Sequence, residues 1–188
     1  MVDIQTIKSK VKEHQPQRLV DEEAIKGAVL VPLFLRNSQI FFLFTKRSDD
    51  LPTHKGQIAF PGGKLEEQDD SLLHCALRET WEEIGIPSIE IKVLGELNQI
   101  KTVGSNFLLS VFVGMVNHPF ELAINTNEVQ EIIEIPLRLF LQQENWKSQM
   151  VMNNQSKAVK VWFVTYQHHL VWGATAKIVK HFVGIITS

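Results

Sequence analysis

Two β-rich apolar runs stand almost end to end near the start of the chain. They are AVLVPLFLR over 28–36 and IFFLFTKR over 40–47, with Asn37 and Ser38 between them. Branched and aromatic side chains favour extended backbone, and a short polar break between two such runs predicts a hairpin. The rest of the chain is read around it. QIAF (57–60) is a third short strand, stopped by Pro61-Gly62-Gly63. Further strands are expected at 90–97, 107–117, 149–152 and 159–166. Helices are expected at 3–14, 70–84, 136–143 and 174–186. Asp70 or Ser71 can cap the second helix, and Gly85 with Pro87 stops it. No repeat or low-complexity linker interrupts the order. Strands and helices mix along one chain, so the fold class is α+β or α/β.

With 188 residues, 44% of them hydrophobic, the chain can bury one good core. A formal net charge of −2 leaves no global basic footprint, which disfavours a nucleic-acid binder. The lone cysteine, Cys75, excludes an internal disulfide framework and suits a reducing compartment. The first 19 residues are charged and amphipathic, without a signal-peptide core, and no run reaches the roughly 18 apolar residues of a membrane span. A cytoplasmic protein with no membrane partner is the expectation.

The sharpest chemical signal is RETWEEIG, Arg78 to Gly85. At about 100° per residue, Leu73, Leu77, Thr80 and Ile84 share one side of the helix, with Trp81 at its edge. Glu79, Glu82 and Glu83 fall on a separate arc bordered by Arg78, which can pair with Glu82 at i+4. Like charges at this spacing repel by a few tenths of a kcal/mol per pair. A solvated surface would tolerate that. Here, however, no lysine is interleaved, and a Pro-Gly-Gly turn precedes the helix and can bring carbonyl oxygens close. Clustered carboxylates with carbonyl oxygens are a ligand set for a hard cation such as Mg²⁺ or Mn²⁺. Such a cation commonly engages phosphates as well, so the residues point to metal-assisted hydrolysis of a phosphoryl or pyrophosphoryl group.

The stretch from Gly62 to Ile86 resembles the Nudix box, G-x5-E-x7-R-E-U-x-E-E-x-G-U with U aliphatic. Arg78, Glu79, Glu82, Glu83, Gly85 and Ile86 fall in register. Counting back from Arg78, the first acid slot holds Asp70, separated from Gly63 by six residues rather than five, and Thr80 occupies an aliphatic slot. The preceding segment, 44–63, is similar to the signature of coenzyme A pyrophosphatases within that superfamily. Thr45, Arg47, Ser48, His54, Gly56, Gln57 and Phe60 to Gly63 match it, whereas Pro52 stands where that signature carries a second arginine. NEVQEIIEIPL (127–137) and WGATAKIV (172–179) also look like that family.

The resemblance implies a Nudix α/β/α sandwich with a mixed sheet over 25–188, preceded by a helical extension, 1–24. It implies Mg²⁺ or Mn²⁺ and cleavage of coenzyme A to 3′,5′-ADP and 4′-phosphopantetheine. Glu79 and Glu83 would be the principal metal ligands, joined by Glu82 and the Gly63 carbonyl. Arg78 would orient the glutamates, and Glu128 would be an extra ligand or the general base. Arg47 and Lys55 would meet substrate phosphates; His54 would hydrogen-bond within its loop. ADP-ribose, a dinucleotide or an oxidised nucleotide is the alternative substrate, kept open by Pro52. A silent ligand sensor is the alternative class, opposed by the three intact glutamates. An oligomer is compatible with all of these readings.

Overall fold

The hairpin forms where expected. In the computed structural model, which describes residues 2–51, 55–102, 105–152 and 158–188, β1 (Ile25–Arg36) pairs antiparallel with β2 (Gln39–Arg47). Asn37 and Ser38 both take positive φ, 51° and 61°, which gives a two-residue turn its strand-compatible twist. The two strands pair only at that end, over Leu33–Arg36 and Gln39–Phe42. Beyond it they diverge, and the 58–64 segment fills the gap. β3 (Ile58–Ala59) pairs with β2, and β4 (Gly62–Lys64) pairs with β1.

On its other edge β1 runs parallel to β6 (Phe107–Val116), which is antiparallel to β5 (Ile91–Lys101). The outer edge of β2 carries β7 (Val129–Pro136). The result is a seven-stranded mixed sheet. A separate antiparallel sheet is made of β8 (Lys147–Met152), β9 (Ala158–Tyr166) and β10 (His169–Trp172).

Both faces of the large sheet are covered, which is why the hairpin reads as nearly unbroken apolar sequence. Ala28, Leu30, Phe34 and Leu43 face α2 (Leu72–Ile84), where they meet Cys75, Ala76 and Ile84. Val29, Val31, Leu33, Phe42 and Phe44 face the opposite core. That core is closed by Ile7 and Val11 of α1 (Ile4–Glu13), Phe140 of α3 (Leu137–Leu141) and Phe182 of α4 (Gly173–Thr187). No helix among the described residues is long and apolar enough to cross a membrane.

The α2 helix is bounded as its sequence requires. The Ser71 hydroxyl accepts from the His74 N–H at 3.1 Å, so Ser71, not Asp70, is the cap. Gly85 ends the helix with φ 77°. Its buried arc differs from the expected one. Cys75, Ala76, Thr80, Glu83 and Ile84 are buried, whereas Leu73 and Leu77 are half-buried and Trp81 is 54% exposed. Glu83 therefore lies inside the buried face instead of apart from it. Thr80 is tolerated there because its hydroxyl donates to the Ala76 carbonyl at 2.7 Å.

Candidate active site

The acidic helix is held by one fork. Arg78 Nε donates to Asp69 Oδ1 and Arg78 Nη2 to Asp69 Oδ2, each at 2.9 Å. The Asp69 side chain is 0% exposed and that of Arg78 is 10% exposed. The fork holds the Asp69 carboxyl well below its usual range, at about 2, and pushes the guanidinium further towards permanent charge. From this anchor Arg78 Nη1 reaches Glu79 Oε1 at 3.0 Å and Glu82 Oε2 at 2.9 Å. Asp69, not Asp70, is thus the acid that serves the arginine. Counting forward from Gly63 lands on Asp69 and counting back from Arg78 lands on Asp70, so one residue is inserted between the loop and the helix.

The three glutamates of the helix part company. Glu82 is exposed and bound to Arg78, at the rim. Glu79 and Glu83 line a cleft of about 1040 Å³, and Glu128 joins them there. Glu128 is delivered by the loop over 123–128, which is stitched to the end of α2: Ala123 N–H donates to Ile84 O, and Asn125 N–H to Glu83 O, both at 3.0 Å. Asn125 Nδ2 then holds Glu128 Oε1 at 3.1 Å.

Glu83 is only 4% exposed, and its Oε2 has no hydrogen-bond partner among the described residues. Burial first, then the charges of Glu79 and Glu128, push its carboxyl up to about 8, against the pull of Arg47. Burial also raises Glu79, although Arg78 opposes the shift. A buried anion with an orphaned oxygen is costly unless a cation sits beside it.

One glycine makes room for this group, and its neighbour lets β4 lie close against β1. A Cβ on Gly63 would lie 2.3 Å from Glu79 Oε1, and one on Gly62, where φ is 154°, would lie 2.3 Å from the Ala28 carbonyl oxygen. The Gly63 carbonyl oxygen faces Cys75 Sγ at 3.7 Å and would meet a Cβ on Gly27 at 2.5 Å. It is the bare Cα of Gly63 that lies against Glu79.

Of the two expected phosphate contacts, Arg47 ends β2 in the cleft, its Nε buried without a hydrogen-bond partner among the described residues. Lys55 is not brought there. It lines a neighbouring cavity of about 370 Å³ with Lys46, His168 and His169. Glu131 pairs with His169 Nε2 at 3.4 Å, and together with His168 they cluster closely enough for a metal, but the two lysines in that wall oppose a cation. His54 and Pro52 lie outside the described residues. Sequence reasoning missed the basic wall of the large cleft, formed by Lys101, Lys160, Lys177 and Lys180, because those lysines come from segments far apart in the chain.

Residues 25–163 match the model of the NUDIX domain. The chain belongs to the NUDIX family. A relative from Photorhabdus laumondii that bears the name "Uncharacterized Nudix hydrolase NudL" is 36% identical over 164 residues, 87% of this chain and 86% of that protein. A Yersinia pestis protein of the same name is 35% identical over 156 residues, 83% and 77% of the two chains. Among solved structures, a MutT/nudix family protein from Enterococcus faecalis superposes with a TM-score of 0.57 at 16% identity, over 94% of this chain and 66% of that one. The C. elegans Ap4A hydrolase does so with 0.51 at 20% identity, over 61% and 81%. Both share the Nudix fold, with its mixed sheet between helices.

Proposed function

We propose that this Nudix protein is a divalent-metal-dependent pyrophosphohydrolase whose preferred substrate is coenzyme A or a derivative, cleaved to 3′,5′-ADP and 4′-phosphopantetheine. The observation that carries the reading is the convergence of Glu79, Glu83 and Glu128 in one cleft, with a buried Glu83 oxygen left without a hydrogen-bond partner among the described residues. These carboxylates fit Mg²⁺ or Mn²⁺, which use hard oxygen ligands. Bound there, the cation would draw charge from phosphoryl oxygens and activate a water.

The protein's own groups do the rest. Glu79 and Glu83 would hold the cation, and the Arg78–Asp69 fork fixes the angle at which Glu79 is presented. Glu128, half-buried and steadied by Asn125, would take a proton from the attacking water. Arg47 neutralises the pyrophosphate oxygens, a role that its Nε, without a hydrogen-bond partner among the described residues, leaves open.

Support for coenzyme A comes from the wall of the cleft. Thr45, Arg47, Gln57, Phe60, Gly62 and Gly63, all within the upstream signature, line it beside the glutamates. The second reading, ADP-ribose or a dinucleotide, rests on Pro52 in the arginine slot of that signature. A silent sensor is disfavoured because the carboxylates are present and gathered. The test is kcat/KM on coenzyme A, ADP-ribose and NADH with saturating Mg²⁺ or Mn²⁺. Coenzyme A should rank first, and a higher value for ADP-ribose or NADH would replace it.

A further inference from the structure

The large cleft is electrically divided. Among the described residues its carboxylates are Glu79, Glu83 and Glu128, all on the α2 side, where Arg47 also lies. The wall built by β9 and α4 carries Lys160, Lys177 and Lys180 and no carboxylate. Lys101, at the end of β5, is paired with Asp21. None of the other three forms an ion pair among the described residues.

The geometry on that wall brings like charges together. Lys160 and Trp162 alternate on β9, so they share a face, and Lys160 Nζ lies 4.3 Å from the indole centre. Lys180 Nζ approaches the same ring from α4, at 4.1 Å, and touches Trp146 at 4.8 Å. Lys177 stands one turn earlier on α4. The ring attracts each ammonium group, but it does nothing about their repulsion. The opposing positive charges at Glu79 and Glu83 are Arg78 and Arg47, both from the α2 side of the cleft. A cleft of about 1040 Å³ also has room for much more than a pyrophosphate and its cation.

We propose that Lys160, Lys177 and Lys180 form an anion subsite for a phosphate monoester that the substrate carries apart from the pyrophosphate being cleaved. This rests on the hydrolase reading above and narrows it to substrates with such a group, which coenzyme A has on its ribose and ADP-ribose lacks. The subsite is built on β9 and α4 whereas Arg47 ends β2, so substrate phosphates would be met by two separate sets of residues.

The test compares paired substrates that differ only in that phosphate: coenzyme A with dephospho-coenzyme A, and NADPH with NADH. It uses the wild type, the exposed pair Lys160→Gln/Lys177→Gln, and Lys180→Gln, whose tryptophan packing makes it the riskier variant. Calorimetry of 3′,5′-ADP against 5′-AMP reads the same subsite without turnover. The wild type should favour the phosphorylated member about tenfold or more in kcat/KM, a charge-assisted contact being strong enough for that. Calorimetry should show a similar ratio in Kd. In the variants the loss should be larger for the phosphorylated member, which brings both ratios towards one. Equal losses on both members would mean that the lysines hold the scissile pyrophosphate and would overturn the proposal. A ratio of one in the wild type would overturn it too. If none of the substrates is hydrolysed, the hydrolase reading fails, yet the calorimetric ratio still decides the subsite.

Discussion

Arg78 grips Asp69 with two parallel hydrogen bonds of 2.9 Å, and the same guanidinium hands its remaining nitrogen to Glu79 and Glu82. The fork couples the loop after β4 to the helix that carries the cleft carboxylates. Removing Asp69 takes two charge-assisted hydrogen bonds from a nearly buried guanidinium that keeps Glu79 and Glu82 as partners, which costs about 1.5–3 kcal/mol. Asp69→Ala should lose stability on that order in urea unfolding, whereas Asp70→Ala should lose little. Arg78→Lys should not rescue the geometry, because an ammonium group cannot span the fork.

The same fork sets an acid limit. The Asp69 carboxyl is lower in the folded protein, about 2, than its ordinary 3.8. The folded state therefore binds fewer protons in that window. The stability it contributes is fully present above about pH 4 and fades as pH falls towards 2. Acid unfolding of Asp69→Asn should show a shallower loss across that interval than the wild type.

Glu83 works in the opposite sense. Its carboxyl is raised to about 8 from 4.5, so the metal-free folded protein holds a proton that the unfolded chain has released. Metal-free stability should decline as pH rises from about 4.5 to 8. Glu83→Gln removes that penalty, so without metal it should be the more stable protein at pH 9. It should nonetheless lose at least about 10²-fold in kcat, in line with removing a major electrostatic stabiliser. Thermal unfolding with EDTA and turnover with Mn²⁺ check the two halves separately.

A cation held by Glu83, as proposed, would displace that proton. The apparent affinity for Mn²⁺ should therefore rise with pH and flatten above about 8, with protons released on binding. Calorimetry in buffers of different ionisation enthalpy counts them. Glu83→Gln should bind more weakly and release fewer.

Gly63→Ala places a methyl group where Glu79 Oε1 sits. The carboxylate or the β4 backbone must shift, and a displacement of about 1 Å at a reacting centre can cost about 10²-fold. The variant should fold, bind Mn²⁺ less tightly and lose most of its kcat. Wild-type kinetics would show that Glu79 can move without consequence.

Much of this was legible in the sequence because it is local. The Asn37-Ser38 turn, the α2 caps and the glutamate spacing need only neighbours a few residues apart. β4 was missed because Gly62 and Gly63 read as a turn, and their strand character comes only from pairing with β1. β7 was recognised as a family segment but not as a strand, since its extended form is fixed by the edge of β2. β10 is four residues long, too short for a period to show. The burial of Glu83 was invisible for a different reason. Helical spacing gives the arc on which a side chain stands, not what closes over it, and here the 123–128 loop and the cleft supply the cover. The choice between Asp69 and Asp70 was open in the spacing itself, and only the fork to Arg78 decides it.

The most direct test of the central claim is product analysis of coenzyme A incubated with the wild-type protein, with Mn²⁺ in one series and with EDTA in the other. The account predicts stoichiometric 3′,5′-ADP and 4′-phosphopantetheine with Mn²⁺ and intact coenzyme A with EDTA. The same products at an undiminished rate in EDTA would contradict it.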